Sequence, residues 1–108
     1  MSNTNNFLTI LTKTLEDAKA IDLVTINVSQ QTSITDYMII CSGRSSRHVK
    51  AIATQAMETM KKAGNTALRD SGLQTGEWVL VDFGDYVLHV MLPENRIFYD
   101  LEGHWQAA

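Results

Sequence analysis

Residues 77–92 constrain the fold of this chain more than any other segment, because they form two apolar runs joined by a two-residue turn. Gly84 and Asp85 occupy that turn, and glycine in the first position is typical of a type II′ hairpin. A turn of this length sets the register of both strands. We expect the side of the hairpin that is uniformly apolar to face the core. Its facing pairs are Phe83 with Tyr86, Val81 with Leu88, and Val79 with Val90.

The opposite side of the same hairpin is mixed in character. There the register pairs Asp82 with Val87, Leu80 with His89, and Trp78 with Met91. Tryptophan beside methionine is the kind of pair that anchors a protein interface, and a histidine in mid-strand is more typical of a structural or interface position than of a catalytic base. A helix that covered this side would bury Trp78 instead. The sequence leaves both interpretations open.

Apolar periodicity predicts the elements that surround the hairpin. A helix is expected over 6–20, and strands are expected over 23–28 and 38–41. A long helix from Ser46, capped by Ser45 or Ser46, should end at Gly64. A short third strand over 66–69 and a loop over 70–76 lead to the hairpin. Pro93 can begin a final helix, whose packing face would hold Ile97, Phe98, Leu101 and Trp105.

This order of elements predicts an α/β fold of the α+β sandwich type, with a mixed five-stranded sheet flanked by helices. The long helix between the second and third strands can serve as a right-handed parallel crossover, whereas the two hairpin strands must be antiparallel. The 108 residues suit one domain over residues 1–108.

Composition and charge narrow the classes of function. A formal net charge of −3 argues against sequence-independent binding to nucleic acid, whereas a basic protein partner fits. The apolar runs are too short to cross a bilayer, and residues 1–6 lack the features of a secretory signal. Cys41 is the only cysteine, so an intramolecular disulfide is excluded. We expect a protein of the reducing cytoplasm that does not associate with membranes.

No residue pattern indicates an enzyme. The turn over residues 43–47, Gly-Arg-Ser-Ser-Arg, is similar to the glycine-serine turn of nucleotidyltransferases, although ordinary helix capping explains it as well. Those enzymes hold metal ions with paired strand carboxylates, but Asp82 and Asp85 straddle the hairpin turn. The three histidines lack ligand spacing. We predict no catalytic residue, metal or cofactor, with a metal-dependent nucleotidyltransferase-like enzyme as the alternative.

Four ordered blocks lie between residues 33 and 105. The first block is Ser33-Ile34-Thr35-Asp36, and the second joins the Ser42-Gly43 turn to residues 45–50. The third covers residues 77–82 with Gly84-Asp85, Val87 and His89-Val90, and the fourth comprises Arg96, residues 98–102 and Trp105. With these blocks the chain resembles, from about residue 8 to residue 105, the ribosomal silencing factor family, also called Iojap.

This resemblance implies a nucleotidyltransferase-like topology without nucleotidyltransferase catalysis. It implies that the chain binds the large ribosomal subunit through that subunit's protein number fourteen, on the face where the small subunit docks. Occupied subunits could then not join, and translation would fall when nutrients are scarce. The resemblance also implies a homodimer when the protein is free. This role requires no cofactor and no direct contact with nucleic acid.

Seven residues make up the docking surface that we predict for this partner. Three come from the mixed side of the hairpin and four from the predicted final helix. They are Trp78, His89 and Met91, followed by Arg96, Tyr99, Asp100 and Glu102. The carboxylates would meet a basic partner and mainly steer the encounter.

Overall fold

The computed structural model describes residues 3–30 and 35–95, with side chains from Phe7 onward. Two helices and five strands follow one another in these ranges. They are α1 (Asn3–Asp17), β1 (Ile21–Asn27), β2 (Tyr37–Ser42), α2 (Ser46–Lys62), β3 (Arg69–Ser71), β4 (Trp78–Asp82) and β5 (Tyr86–Met91). Residues 93–95 are helical, as predicted for a helix that begins at Pro93. The rest of that predicted helix, from residue 96 on, lies outside the described residues.

The five strands form one mixed sheet in the order β1-β2-β5-β4-β3. The central pair, β2 and β5, is parallel, and all other neighbours are antiparallel. This confirms the predicted fold class. Within the described ranges, no helix is both long and apolar enough to pass through a membrane.

The hairpin has the register that its turn predicts. Val79 lies opposite Val90, Val81 opposite Leu88, and Trp78 opposite Met91. Gly84 has a φ of +95°, a conformation that glycine adopts without the strain of a Cβ atom. At the turn, the N–H of Phe83 donates to the carbonyl oxygen of Tyr86 at 2.8 Å. Local turn chemistry therefore aligns β4 with β5.

Both helices pack against one face of the sheet and form the main core with it. Leu11 and Leu15 of α1 and the apolar face of α2 are buried there. The sheet contributes the side of the hairpin predicted to face the core, together with Ile39 and Cys41 of β2. The other face carries a second, smaller apolar cluster, which contains Ile26, Val28, Met38, Ile40 and Met91.

Several boundary predictions are wrong. The third strand is β3, Arg69–Ser71, and not residues 66–69. Its position is set by pairing with β4, where Arg69 lies opposite Asp82, and all three of its residues are exposed, so no apolar pattern marks it. The loop that follows is correspondingly shorter than predicted. α1 begins at Asn3 rather than at residue 6. It ends at Asp17 rather than at residue 20, because Lys19 adopts a left-handed φ of +67°. β1 begins at Ile21 rather than at residue 23.

The prediction for the crossover is only partly right. α2 connects β2 to β3, and the ladder pairings give these two strands the same direction. However, they are not neighbours, because β5 and β4 lie between them. The parallel neighbour of β2 is β5. The polar, three-residue β3 suits an edge, whereas the apolar β5 suits the centre, where both faces are covered.

Ser45 is the residue that caps α2. Its side-chain oxygen accepts the N–H of His48 at 3.2 Å, and its backbone is extended, as an N-cap requires. The helix ends as predicted: Ala63 is the C-cap, and Gly64 follows with a φ of +102°.

Replacing the cap should destabilise the protein more than replacing its neighbour. We expect Ser45→Ala to lower the free energy of unfolding by about 1 kcal/mol, because one backbone N–H loses its partner. The control is Ser46→Ala, a serine that is also exposed but lies on the helix itself, and it should change the free energy of unfolding by less than about 0.5 kcal/mol. Urea unfolding of both variants measures the difference, and equal losses would contradict the assignment of the cap.

Candidate functional site

Trp78, His89 and Met91 lie on the sheet face opposite to α1 and α2. Trp78 begins β4 and faces Met91 at the end of β5. His89 faces Leu80, two residues further along β4 than Trp78, so Trp78 and His89 are diagonal neighbours on one face. The structure thus brings together the three hairpin residues of the predicted docking surface. Arg96, Tyr99, Asp100 and Glu102 lie outside the described residues.

The indole of Trp78 is hydrogen-bonded to the imidazole of His89. The indole Nε1–H donates to His89 Nδ1 at 3.1 Å, and the ring centroids are 6.0 Å apart with their planes tilted by 49°. An indole N–H can only donate, so His89 Nδ1 must carry a lone pair. This bond assigns the neutral imidazole the tautomer with its proton on Nε2. Protonation of Nδ1 would break the bond.

Burial keeps His89 neutral. The residue is only 5% exposed, and its neighbours across the sheet are Ile40 of β2 and Leu80 of β4. Desolvation by these surroundings lowers the pKa of His89 to about 4. At neutral pH the imidazole is therefore an acceptor for Trp78 and carries no charge.

The three hairpin residues differ in exposure. Met91 is completely buried in the second apolar cluster, whereas Trp78 packs against that cluster and remains partly exposed. Of the three, Trp78 is thus the residue with surface to offer a partner. His89 is hydrogen-bonded to its indole, and Met91 lies opposite Trp78 in the cluster against which Trp78 packs.

The turn over residues 43–47 is organised by capping bonds. Besides the Ser45 cap, the N–H of Arg44 donates to His48 Nδ1 at 2.9 Å. His48 Nε2 lies 3.0 Å from the carbonyl oxygen of Ala18, to which it donates because Nδ1 is already an acceptor. His48 therefore ties α2 to the turn that follows α1. The sequence carries no signal for this contact, because its two sides are 30 residues apart.

The carboxylate of Asp82 serves the hairpin itself. Asp82 Oδ2 pairs with Arg69 Nε at 3.1 Å, and Asp82 Oδ1 accepts the N–H of Gly84 at 2.8 Å. Asp82 thus links β4 to the edge strand and supports the turn. In residues 3–30 and 35–95, no group of three or more histidine, cysteine, aspartate or glutamate side chains is arranged to hold a metal ion.

Comparison with known proteins identifies the family. A family model described as "Ribosomal silencing factor during starvation" matches residues 1–108. The chain belongs to this family. The ribosomal silencing factor of Zymomonas mobilis is 42% identical over 98 residues, which are 91% of this chain and 74% of that protein. The resemblance carried by the four sequence blocks is thereby confirmed. The family is named for silencing, a regulatory role and not an enzymatic one.

A solved structure and a more distant relative extend the comparison. A crystal structure of a protein from Chromobacterium violaceum is 40% identical, with a TM-score of 0.92, and the match covers 94% of this chain and 85% of that one. The mouse protein named "Mitochondrial assembly of ribosomal large subunit protein 1" is 34% identical over 99 residues. That match covers 89% of this chain but only 43% of the mouse protein.

The buried His89 predicts a pH dependence of stability. The ordinary pKa of histidine is 6.5, and the pKa of His89 in the folded protein is about 4. Between these two pH values, His89 is protonated in the unfolded chain but not in the folded protein. Stability therefore falls as the pH falls through this window, by roughly 3 kcal/mol for this residue. In the variant His89→Gln, the amide oxygen can still accept the indole N–H of Trp78. Glutamine does not titrate, so this residue binds no proton in either the folded or the unfolded state.

Urea unfolding of the two proteins at pH 7 and pH 4 isolates this effect, since every other titratable group is common to both. We expect the wild type to lose roughly 3 kcal/mol more than the variant. A parallel decline in both proteins would show that His89 is not the cause.

Proposed function

We propose that this protein binds the large ribosomal subunit and thereby prevents it from joining the small subunit. Membership of the ribosomal silencing factor family carries this proposal. The name of the mouse relative, which refers to the ribosomal large subunit, supports the choice of subunit. The activity is steric: a bound protein occupies the joining face, and translation falls when nutrients are scarce. It takes place in the cytoplasm, where the subunits are.

The contact that we propose is with protein number fourteen of the large subunit, and Trp78 is its anchor. Tryptophan is enriched among the residues that dominate binding energy, particularly where neighbouring groups exclude water. The partly exposed indole of Trp78 is held by the 3.1 Å bond to His89 and rests on the cluster that includes Met91. An anchor held in this way loses little conformational freedom on binding.

Residues of the C-terminal segment complete the proposed surface. Arg96, Tyr99, Asp100 and Glu102 follow the described helical residues 93–95, which are attached close to Trp78. Asn95 Nδ2 donates to the carbonyl oxygen of Glu77 at 2.9 Å, and Glu77 directly precedes Trp78. The net charge of −3 favours the encounter with a basic ribosomal protein. The free protein would pair as a homodimer.

Subunit joining tests the function directly. Large and small subunits are dissociated at low magnesium and incubated with the protein, and magnesium is then restored. We expect the two subunit peaks to remain separate in a sucrose gradient, with the protein in the large-subunit fraction. If complete ribosomes form as readily as without the protein, the proposed function is wrong.

Truncation of Trp78 tests the docking surface. We expect Trp78→Ala to weaken binding to purified large subunits by about 2 to 4 kcal/mol, which is roughly 30- to 1000-fold. The matched control is Leu68→Ala, because Leu68 is 71% exposed and lies beside the hairpin turn, at the other end of β4. This control should bind like the wild type.

Thermal unfolding of the same two variants separates an anchor from a core residue. Removing a core tryptophan costs on the order of 3 to 5 kcal/mol of stability. A strongly lowered melting temperature for Trp78→Ala, with unchanged affinity of the protein that remains folded, would remove Trp78 from the docking surface.

A further inference from the structure

Four cationic residues lie at or beside the start of α2. Lys19 lies in the turn after α1, and Arg44, Arg47 and Lys50 lie at the start of α2. Lys19, Arg44 and Arg47 are exposed, and Lys50 is partly exposed. We call these four residues the basic corner.

The fold, and not the local sequence, brings the basic corner together. His48 accepts the N–H of Arg44 at 2.9 Å and contacts the carbonyl oxygen of Ala18 at 3.0 Å, which brings Lys19 close to the start of α2. Arg47 and Lys50 are three residues apart, so they neighbour each other on the helix surface away from its buried face. Arg44, Arg47 and Lys19 thus lie at the start of α2, and Lys50 follows on the flank of the helix that faces Gly76.

Among the residues that the structure describes, no ion pair neutralises the charge of the basic corner. In the part of the chain that the structure describes, the single ion pair joins Arg69 to Asp82, and none of the four cations takes part in one. The acidic residues nearest to the corner along the chain, Asp17, Asp22 and Glu77, form no ion pair with it. The four cations therefore have no ion-pair partner among the described residues, although the net charge of the chain is −3.

The most strongly exposed hydrophobic side chain of the described residues lies far from these cations. Leu68, the one large hydrophobic residue that is strongly exposed in the described ranges, lies beside Gly84 at the hairpin turn. The hairpin turn precedes β5, whereas α2 begins just after the end of β2, which runs parallel to β5. Leu68 is therefore at the opposite end of the sheet from the basic corner. Clustered cations fit a polyanion, and the apolar contact with a protein partner is assigned to Trp78 instead.

The basic corner borders the proposed docking surface. The N–H of Gly43, which directly precedes Arg44, donates to the carbonyl oxygen of Met91 at 3.2 Å, and Met91 lies opposite Trp78. On the other flank, Gly76 approaches the start of α2 so closely that a Cβ atom there would lie 2.5 Å from the carbonyl oxygen of Ser46. A partner seated on Trp78 would therefore have the basic corner at its side.

We infer that the basic corner contacts the phosphate backbone of ribosomal RNA in the large subunit, beside the protein contact made through Trp78. This inference rests on the proposed function. Arginine and lysine side chains that neutralise phosphates release the counterions bound to RNA, and this release stabilises the complex without reading the base sequence. The contact supplements the protein contact and, with few cations, does not suffice for binding free RNA.

The salt dependence of binding to purified large subunits tests this contact. The variant Arg44→Gln/Arg47→Gln removes two exposed cations of the basic corner. Two lost phosphate contacts should make the slope of log K against log salt concentration less steep by roughly 1.4 to 1.8. At about 0.1 M salt, a change of slope of this size means that the variant binds roughly 25- to 60-fold more weakly than the wild type. The two affinities should become equal near about 1 M salt.

The matched control is Lys61→Gln/Lys62→Gln. It removes the same charge from two exposed residues at the other end of α2 and should keep the slope of the wild type. Equal slopes for all three proteins would overturn the inference while leaving the proposed function intact. Failure of the wild type to bind large subunits at any salt concentration would instead overturn both.

A tethered probe distinguishes RNA from an acidic protein surface. Cys41 is buried, so an iron chelate can be attached selectively to Arg47→Cys or, as a control, to Lys61→Cys. On bound large subunits, hydroxyl radicals generated at position 47 should cut ribosomal RNA at a few adjacent nucleotides, whereas position 61 should give weaker or different cuts. A reduced salt slope without RNA cleavage from position 47 would assign the contact to protein and overturn the RNA partner.

Discussion

The parallel pairing of β2 with β5 is the contact on which the rest of this structure depends. Both strands are buried along almost their whole length, and they occupy the inner positions of the sheet. The two strands meet although more than forty residues separate their ends along the chain. β1 pairs with the outer edge of β2, and β4 pairs with the outer edge of β5. The polar strand β3 pairs with β4 and lies at the edge of the sheet. Burial of apolar side chains on both faces stabilises this centre.

Because β2 and β5 are parallel, their carboxyl ends meet at the same end of the sheet. The turn that leads into α2 and the residues that leave β5 are thus neighbours, as the bond from Gly43 to Met91 shows. β4 is antiparallel to β5, so its first residue, Trp78, lies there too. The proposed docking surface and the basic corner are adjacent for this topological reason, although their residues come from distant parts of the chain.

The bond between Trp78 and His89 shows how a polar pair is used within an apolar sheet face. A buried imidazole without a partner would be costly, and so would a buried indole N–H. Each satisfies the other, and burial keeps the imidazole in the neutral form that the bond requires. The result is an indole with a defined orientation and a partly exposed surface, which is what an interface anchor needs.

Local chemistry in the sequence determined the hairpin register, the limits of α2 and the apolar side of the hairpin, because turn geometry and periodicity act over a few residues. The four blocks also sufficed to identify the family. Only the tertiary structure decided that β5 and not β3 pairs with β2, that Arg69–Ser71 is a strand, and that His48 reaches Ala18. These features depend on contacts between residues far apart in the chain, where the free energy of the whole core outweighs local preference.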